Sequence, residues 1–136
     1  MANQHHAHPL PSWRNRAGPR VVVGLLLAVG ARVKVTPTQR TLKVMRERGY
    51  YAETVERWVP RLNIRKDFAG VIDVLCLGDG EVVGVQATSA SNVAARVRKI
   101  ANAETLPHLR RAGVRILVHG WRKSGRTWVL REVDCS

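Results

Sequence analysis

Asp73 stands among Val71, Ile72, Val74, Leu75 and Leu77. β-Branched and aliphatic neighbours of this kind spell a buried strand. A carboxylate inside such a strand carries a large desolvation cost unless it is paired, hydrogen-bonded or holding a metal. An Asp79-Gly80 dipeptide follows, and then Val85-Gln86-Ala87-Thr88. Asp-Gly between two apolar runs predicts a hairpin with a two-residue type I′ turn, which needs positive φ at both central positions. That turn sets Gly78 opposite Glu81 and Asp73 opposite Gln86, with Thr88 on the same face through the strand period of two. A three-residue loop would instead put Asp73 opposite Val85 and turn Gln86 away. In the two-residue register a carboxylate meets an amide whose carbonyl oxygen can ligate a hard cation.

Four further acids precede Asp73 in the same stretch of chain: Glu47, Glu53, Glu56 and Asp67. Glu53 and Glu56 have opposite parity, so only one of them can point to the Asp73 face of a continuous strand. Asp67 serves either as a helper ligand or as the partner of a neighbouring Arg. A purely structural role for Asp73 would need a buried ion pair with an Arg such as Arg57 or Arg65.

Gly70-Val71-Ile72-Asp73 followed by Gln86-Ala87-Thr88 resembles the PD-(D/E)XK nuclease superfamily, the restriction-endonuclease-like and Holliday-junction-resolvase-like proteins, over roughly Thr36 to Val133. In that family the acid of the first strand and the Glu-x-Lys of the next bind Mg²⁺ and activate water. Here Gln86 stands at the usual carboxylate and Thr88 at the usual lysine. The resemblance implies an α/β fold with a restriction-endonuclease-like core, a mixed central sheet flanked by helices in the order α-β-β-β-α-α-β-β. It implies Mg²⁺ or Mn²⁺ held by Asp73 and Gln86, with Glu56, Asp67 and the Ala87 carbonyl to complete the set. Asp73, Gln86, Thr88 and Lys99 become the catalytic residues, Lys99 or Arg96 replacing the missing lysine from the following helix. The implied reaction is phosphodiester hydrolysis on nucleic acid, DNA in particular, and a junction-cutting enzyme of this kind is expected to be a homodimer. The alternative is a nuclease fold kept as a DNA-binding module, because loss of both expected charges weakens the electrostatic part of catalysis.

The elements that must position these residues are legible in outline. Thr36-Pro37-Thr38-Gln39 opens a helix with a capping box and Pro at its first position, and Gly49 closes it, with Leu42 and Met45 facing the core. Tyr50 to Val59 reads as one strand ending at Pro60. Arg61 to Phe68 reads as a polar, basic connection. Ser89-Ala90-Ser91-Asn92 offers caps for a helix with Val93, Val97 and Ile100 on one side and Asn92, Arg96 and Lys99 on another. Thr105 to Ala112 forms a short helix, and Val114 to Trp121 and Thr127 to Val133 form two strands joined by a basic loop, Arg122 to Arg126. Trp121 and Trp128 flank that loop and suit packing better than base stacking.

The chain of 136 residues suits one domain, residues 36–136, behind a basic extension, residues 1–35. Its formal charge is +13, and the first 35 residues contribute five Lys and Arg but no acid, leaving 18 against 10 on the body. Such a surface attracts polyanions, and its Arg suit bidentate phosphate contacts. Arg65, Lys66, Asn92, Arg96, Lys99, Arg122, Lys123 and Arg126 are the candidate nucleic-acid contacts. Membrane binding is not expected, since no long basic amphipathic helix stands out. Cys76 and Cys135 form no disulfide framework, so a cytoplasmic setting is expected. His5, His6 and His8 lie in a polar tail with little promise as a metal site. Residues 21–31 after Arg14, Arg16 and Arg20 have the outline of a signal peptide, but an added strand or helix, or an upstream extension outside the fold, is the expected reading.

Overall fold

Thr36 and Gln39 start the first helix as a reciprocal pair: Thr36 Oγ1 accepts from the Gln39 amide at 3.2 Å, and Gln39 Oε1 accepts from the Thr36 amide at 2.9 Å. The helix, α1, spans Pro37–Glu47 and buries Thr41 and Met45. Gly49, at φ +96°, makes the turn that ends it. The computed structural model describes residues 34–136, which form one unit. The His tail and the apolar run 21–31, with the rest of the extension up to Val33, lie outside the described residues.

Beyond α1 the chain runs through β1 (Tyr51–Thr54), β2 (Arg57–Val59), β3 (Ile64–Lys66), β4 (Val74–Gly78) and β5 (Glu81–Ser89). A single 3₁₀ turn, Ala90–Asn92, leads into α2 (Val93–Ala101) and α3 (Leu106–Arg111). Two long strands, β6 (Val114–Ser124) and β7 (Thr127–Asp134), complete the fold. This is an α/β protein. Its main sheet is mixed, in the order β1-β4-β5-β6-β7, with β5 and β6 parallel and the other pairs antiparallel. A crossover through α2 and α3 makes the parallel pair possible.

Two apolar layers cover the sheet. On one face α1 packs Met45 against Val74, Cys76, Val83, Val85 and Leu117. On the other, Val93, Ile100, Leu106 and Leu109 from α2 and α3 meet Ile116, Val118, Val71 and Ile72. Gly84 is required there, since a Cβ would fall 2.4 Å from Ile72 Cδ1. Its absence leaves room against β5 for Ile72, the residue before Asp73. No helix among the described residues is long and apolar enough to cross a membrane.

Three expectations need correction. Tyr50 to Val59 is two strands in two sheets, because the chain leaves the main sheet at Val55 and Glu56. What reads as a basic connection is the second half of a separate antiparallel hairpin, β2–β3, closed by Pro60 to Asn63 with Asn63 at φ +51°. The expected order of elements therefore gains two strands between the first and second strands of the main sheet. Arg122 and Lys123 belong to β6 rather than to a loop. Lys123 pairs with Trp128 and Ser124 with Thr127, leaving only Gly125 and Arg126 in the turn.

Candidate metal centre

Asp79 and Gly80 sit at φ +52° and +74°, and Gly78 pairs with Glu81, as a two-residue type I′ turn demands. Asp73 does not lie mid-strand. It is the residue just before β4, reached through a tight turn in which Ala69 and Gly70 have positive φ and the Phe68 amide bonds the Ile72 carbonyl at 2.9 Å. Its backbone is still built into the sheet: its amide donates to Val85 O at 3.0 Å, and its carbonyl accepts from the Val55 amide at 2.9 Å.

One oxygen of the Asp73 carboxyl does all of its hydrogen bonding. Oδ2 accepts from Gln86 Nε2 at 2.7 Å and from the Ala87 amide at 2.9 Å. Oδ1 accepts no hydrogen bond from the described residues. Gln86 is buried, and with its Nε2 committed to Asp73 its Oε1 has no partner among the described residues. An orphaned buried amide oxygen is uncommon and needs a reason.

Glu56 and Asp67 crowd the same place. One carboxylate oxygen from each of Glu56, Asp67 and Asp73 lies within 4.8 Å of the others. The hairpin brings the first two together: Arg57 pairs with Lys66, so Glu56 and Asp67 are the next residues outward at its base. Burial pushes the Asp73 carboxyl up to about 7, and the adjacent Asp67 carboxyl and the Glu56 charge push the same way against the Ala87 amide. Lys99 reaches in from α2, its Nζ 3.1 Å from Asp67 Oδ2, and Arg65 meets Glu56 at 3.3 Å. Asp73 itself has no ion pair among the described residues, so a structural pairing with Arg57 or Arg65 is not what holds it.

The remaining candidates scatter. Thr88 is buried on the Gln86 side of β5, and its hydroxyl makes no hydrogen bond to the described residues. Ala87 contributes its amide to Asp73. Glu53 pairs across the strands with Leu75 and takes the Tyr51 hydroxyl at 3.1 Å instead. Glu47 sits on α1, on the other side of the sheet, beside Arg40, Lys43 and Trp128. Asn92 is exposed and caps α2 without a side-chain bond, and Arg96 is half-buried one turn further on. Arg122, Lys123 and Arg126 are exposed beyond Val118, the β6 partner of Gln86, by four or more residues, roughly 13 Å along the strand. Lys66 is exposed on the hairpin.

The chain matches no family model, no curated protein and no solved structure.

A second buried polar cluster lies on the α1 face. Trp121 Nε1 donates to Thr41 Oγ1 at 3.1 Å, Thr41 Oγ1 lies 3.2 Å from His119 Nδ1, and His119 Nε2 lies 2.7 Å from Glu132 Oε2, which also accepts from Arg48 at 2.7 Å. Trp121 can only donate and the Glu132 carboxylate can only accept, so the chain runs one way: Thr41 donates to Nδ1 and neutral His119 carries its proton on Nε2. Burial holds His119 below its ordinary pKa against the pull of Glu132. Sequence offered one clue, a His sharing the parity of Leu117 and Trp121 in an apolar strand. Its partner Thr41 is 78 residues away.

Proposed function

We propose that residues 36–136 are a metal-dependent nuclease of the PD-(D/E)XK type, with Asp73, Asp67 and Glu56 as the cation ligands and Lys99 as the displaced lysine. The observation that carries this reading is the convergence of three carboxylates, one of them buried without a counter-ion among the described residues, with the bonded Gln86 amide keeping a buried oxygen that has no partner among them. Four oxygens of this kind suit a hard cation such as Mg²⁺ or Mn²⁺. The element order supports it too: with the hairpin set aside, the chain reads α-β-β-β-α-α-β-β.

A bound cation would supply Lewis acidity, lowering the pKa of water and offsetting charge on a phosphate. The protein's own part is orientation. Asp73 spends Oδ2 on the sheet and keeps Oδ1 for the cation. Gln86 contributes Oε1. Lys99, held by Asp67, keeps an ammonium at the rim of the acids, where it would donate to a phosphate oxygen in place of a lysine at position 88. Because a proton and a cation compete for Asp73, cation affinity rises as pH climbs through about 7.

The test is a screen of duplex, single-stranded, flap and junction substrates with Mn²⁺ or Mg²⁺. Cleavage by the wild type should fall at least about 100-fold in Asp73→Ala, the scale of a lost electrostatic contribution. Equal activity in both proteins sinks the proposal. One observation favours a second reading, a DNA-binding module that does not cut: Gln86 and Thr88 bring no charge to the second motif, and the Lys99 ammonium is engaged by Asp67. That reading expects salt-sensitive DNA binding unchanged by EDTA.

A further inference from the structure

Arg57 and Lys66 are directly opposite each other in the β2–β3 hairpin. Like charges at such positions repel, and neither side chain has an acidic partner among the described residues. Both line a cleft of about 270 Å³ whose other walls are Val55, Asp67, Phe68 and Ala69. Phe68 is 52% exposed, which is unusual for an aromatic ring so close to the core. It is also fixed in place. Its amide and carbonyl both bond the backbone of the Phe68–Ile72 turn, and the Ala69 carbonyl takes the Thr105 hydroxyl at 2.7 Å.

A cleft with two unpaired cations on one wall and an aromatic face on another has the composition of a nucleotide subsite. Asp67 belongs both to this cleft and to the acid cluster, so the two sites touch. We infer that the cleft holds one unpaired nucleotide of the substrate strand next to the phosphate at the metal centre, its phosphate between Arg57 and Lys66 and its base on Phe68. The base must be unpaired, because in a duplex both its faces are covered by stacked neighbours. This rests on the nuclease reading for its orientation, and it adds a substrate preference: single strands, flaps or frayed ends over intact duplex.

The test is fluorescence anisotropy of labelled single-stranded and duplex oligonucleotides with the full chain in EDTA, where no cleavage occurs. Wild type should bind the single strand more tightly. Phe68→Ala should weaken that binding about 5- to 160-fold, the range of one base–aromatic stack, with duplex binding within about twofold and Phe68→Tyr near wild type. Arg57→Ala with Lys66→Ala should lower the salt slope on single strands by roughly 1.4, and should not lower the melting temperature, since it removes a repulsion. Equal losses on both DNA forms, no loss at all, or a dimer that Phe68→Ala dissolves would overturn the subsite. A protein that keeps this preference yet never cuts with Mn²⁺ would instead sink the nuclease reading and leave the subsite standing.

Discussion

Each face of the sheet buries a polar cluster, and the two are finished differently. Around His119 every buried side-chain polar atom has a partner, in a chain from Trp121 through Thr41 and the imidazole to Glu132 Oε2 and Arg48. Around Asp73 the buried Gln86 Oε1 has no partner among the described residues, Asp73 Oδ1 accepts no hydrogen bond from them, and two more acids stand close by. A closed network of buried hydrogen bonds rigidifies a fold. An open one of like charge works against it. The difference separates a brace from a site better than burial does, since both clusters are buried.

The pH signs of the two clusters are opposite. Asp73 has a folded value of about 7 against an ordinary 3.8, so the folded protein holds that proton more firmly than the unfolded chain. Its contribution to stability is complete below about pH 4 and is lost as pH rises through 7. His119 is depressed below its ordinary 6.5. Its contribution is complete above that value and is lost as pH falls below it. Burial also raises Glu132, but the bonds from Arg48 and His119 more than offset this and leave it below an ordinary Glu.

The comparison breaks most readily at His119. His119→Ala takes one hydrogen-bond partner each from Thr41 and Glu132 and opens a buried gap, and should destabilise the protein by about 2–4 kcal/mol in urea unfolding at pH 8. A cost below about 1 kcal/mol would mean the α1-side cluster is no brace. Asp73→Asn sharpens the contrast, because it removes a charge while Oδ1 of the new amide can take over both sheet hydrogen bonds. In EDTA at pH 8 the variant should be more stable than wild type by about 1–2 kcal/mol, and the gain should vanish near pH 4. Mn²⁺ should then raise the melting temperature of the wild type and leave Asp73→Asn unmoved. A variant less stable than wild type at pH 8 would show that the acid is structural after all. The smallest effect is expected at the rim of the α1 face, where Arg40 lies 3.7 Å over the Trp128 ring. Arg40→Ala should cost about 0.5–1 kcal/mol, the range of an exposed cation–π pair.

Much of this was legible where the chemistry is local. Asp79-Gly80 dictates its own turn, and the turn dictates that Asp73 meets Gln86. Thr36, Pro37 and Gln39 dictate the start of α1. Glu56 was harder, because no Gly or Pro breaks Tyr50 to Val59, and the strand appears continuous until tertiary packing bends it at Val55. Pro60 and Asn63 between Val59 and Ile64 were the available signal for the hairpin. Thr41 and His119 had none, since a hydrogen bond between distant segments is a property of the finished fold.

Asp73 serves two sets of neighbours, the sheet through Oδ2 and the acid cluster through the charge of its carboxylate. Asn at this position would satisfy the first and dismiss the second. Aspartate and asparagine codons differ by a single base, so one genetic step would remove a ligand from the proposed cation centre and leave the architecture, the basic surface and the hairpin cleft in place. If the proposed centre hydrolyses nucleic acid, binding would outlive hydrolysis after such a step, and a sequence survey of position 73 would reveal that change directly.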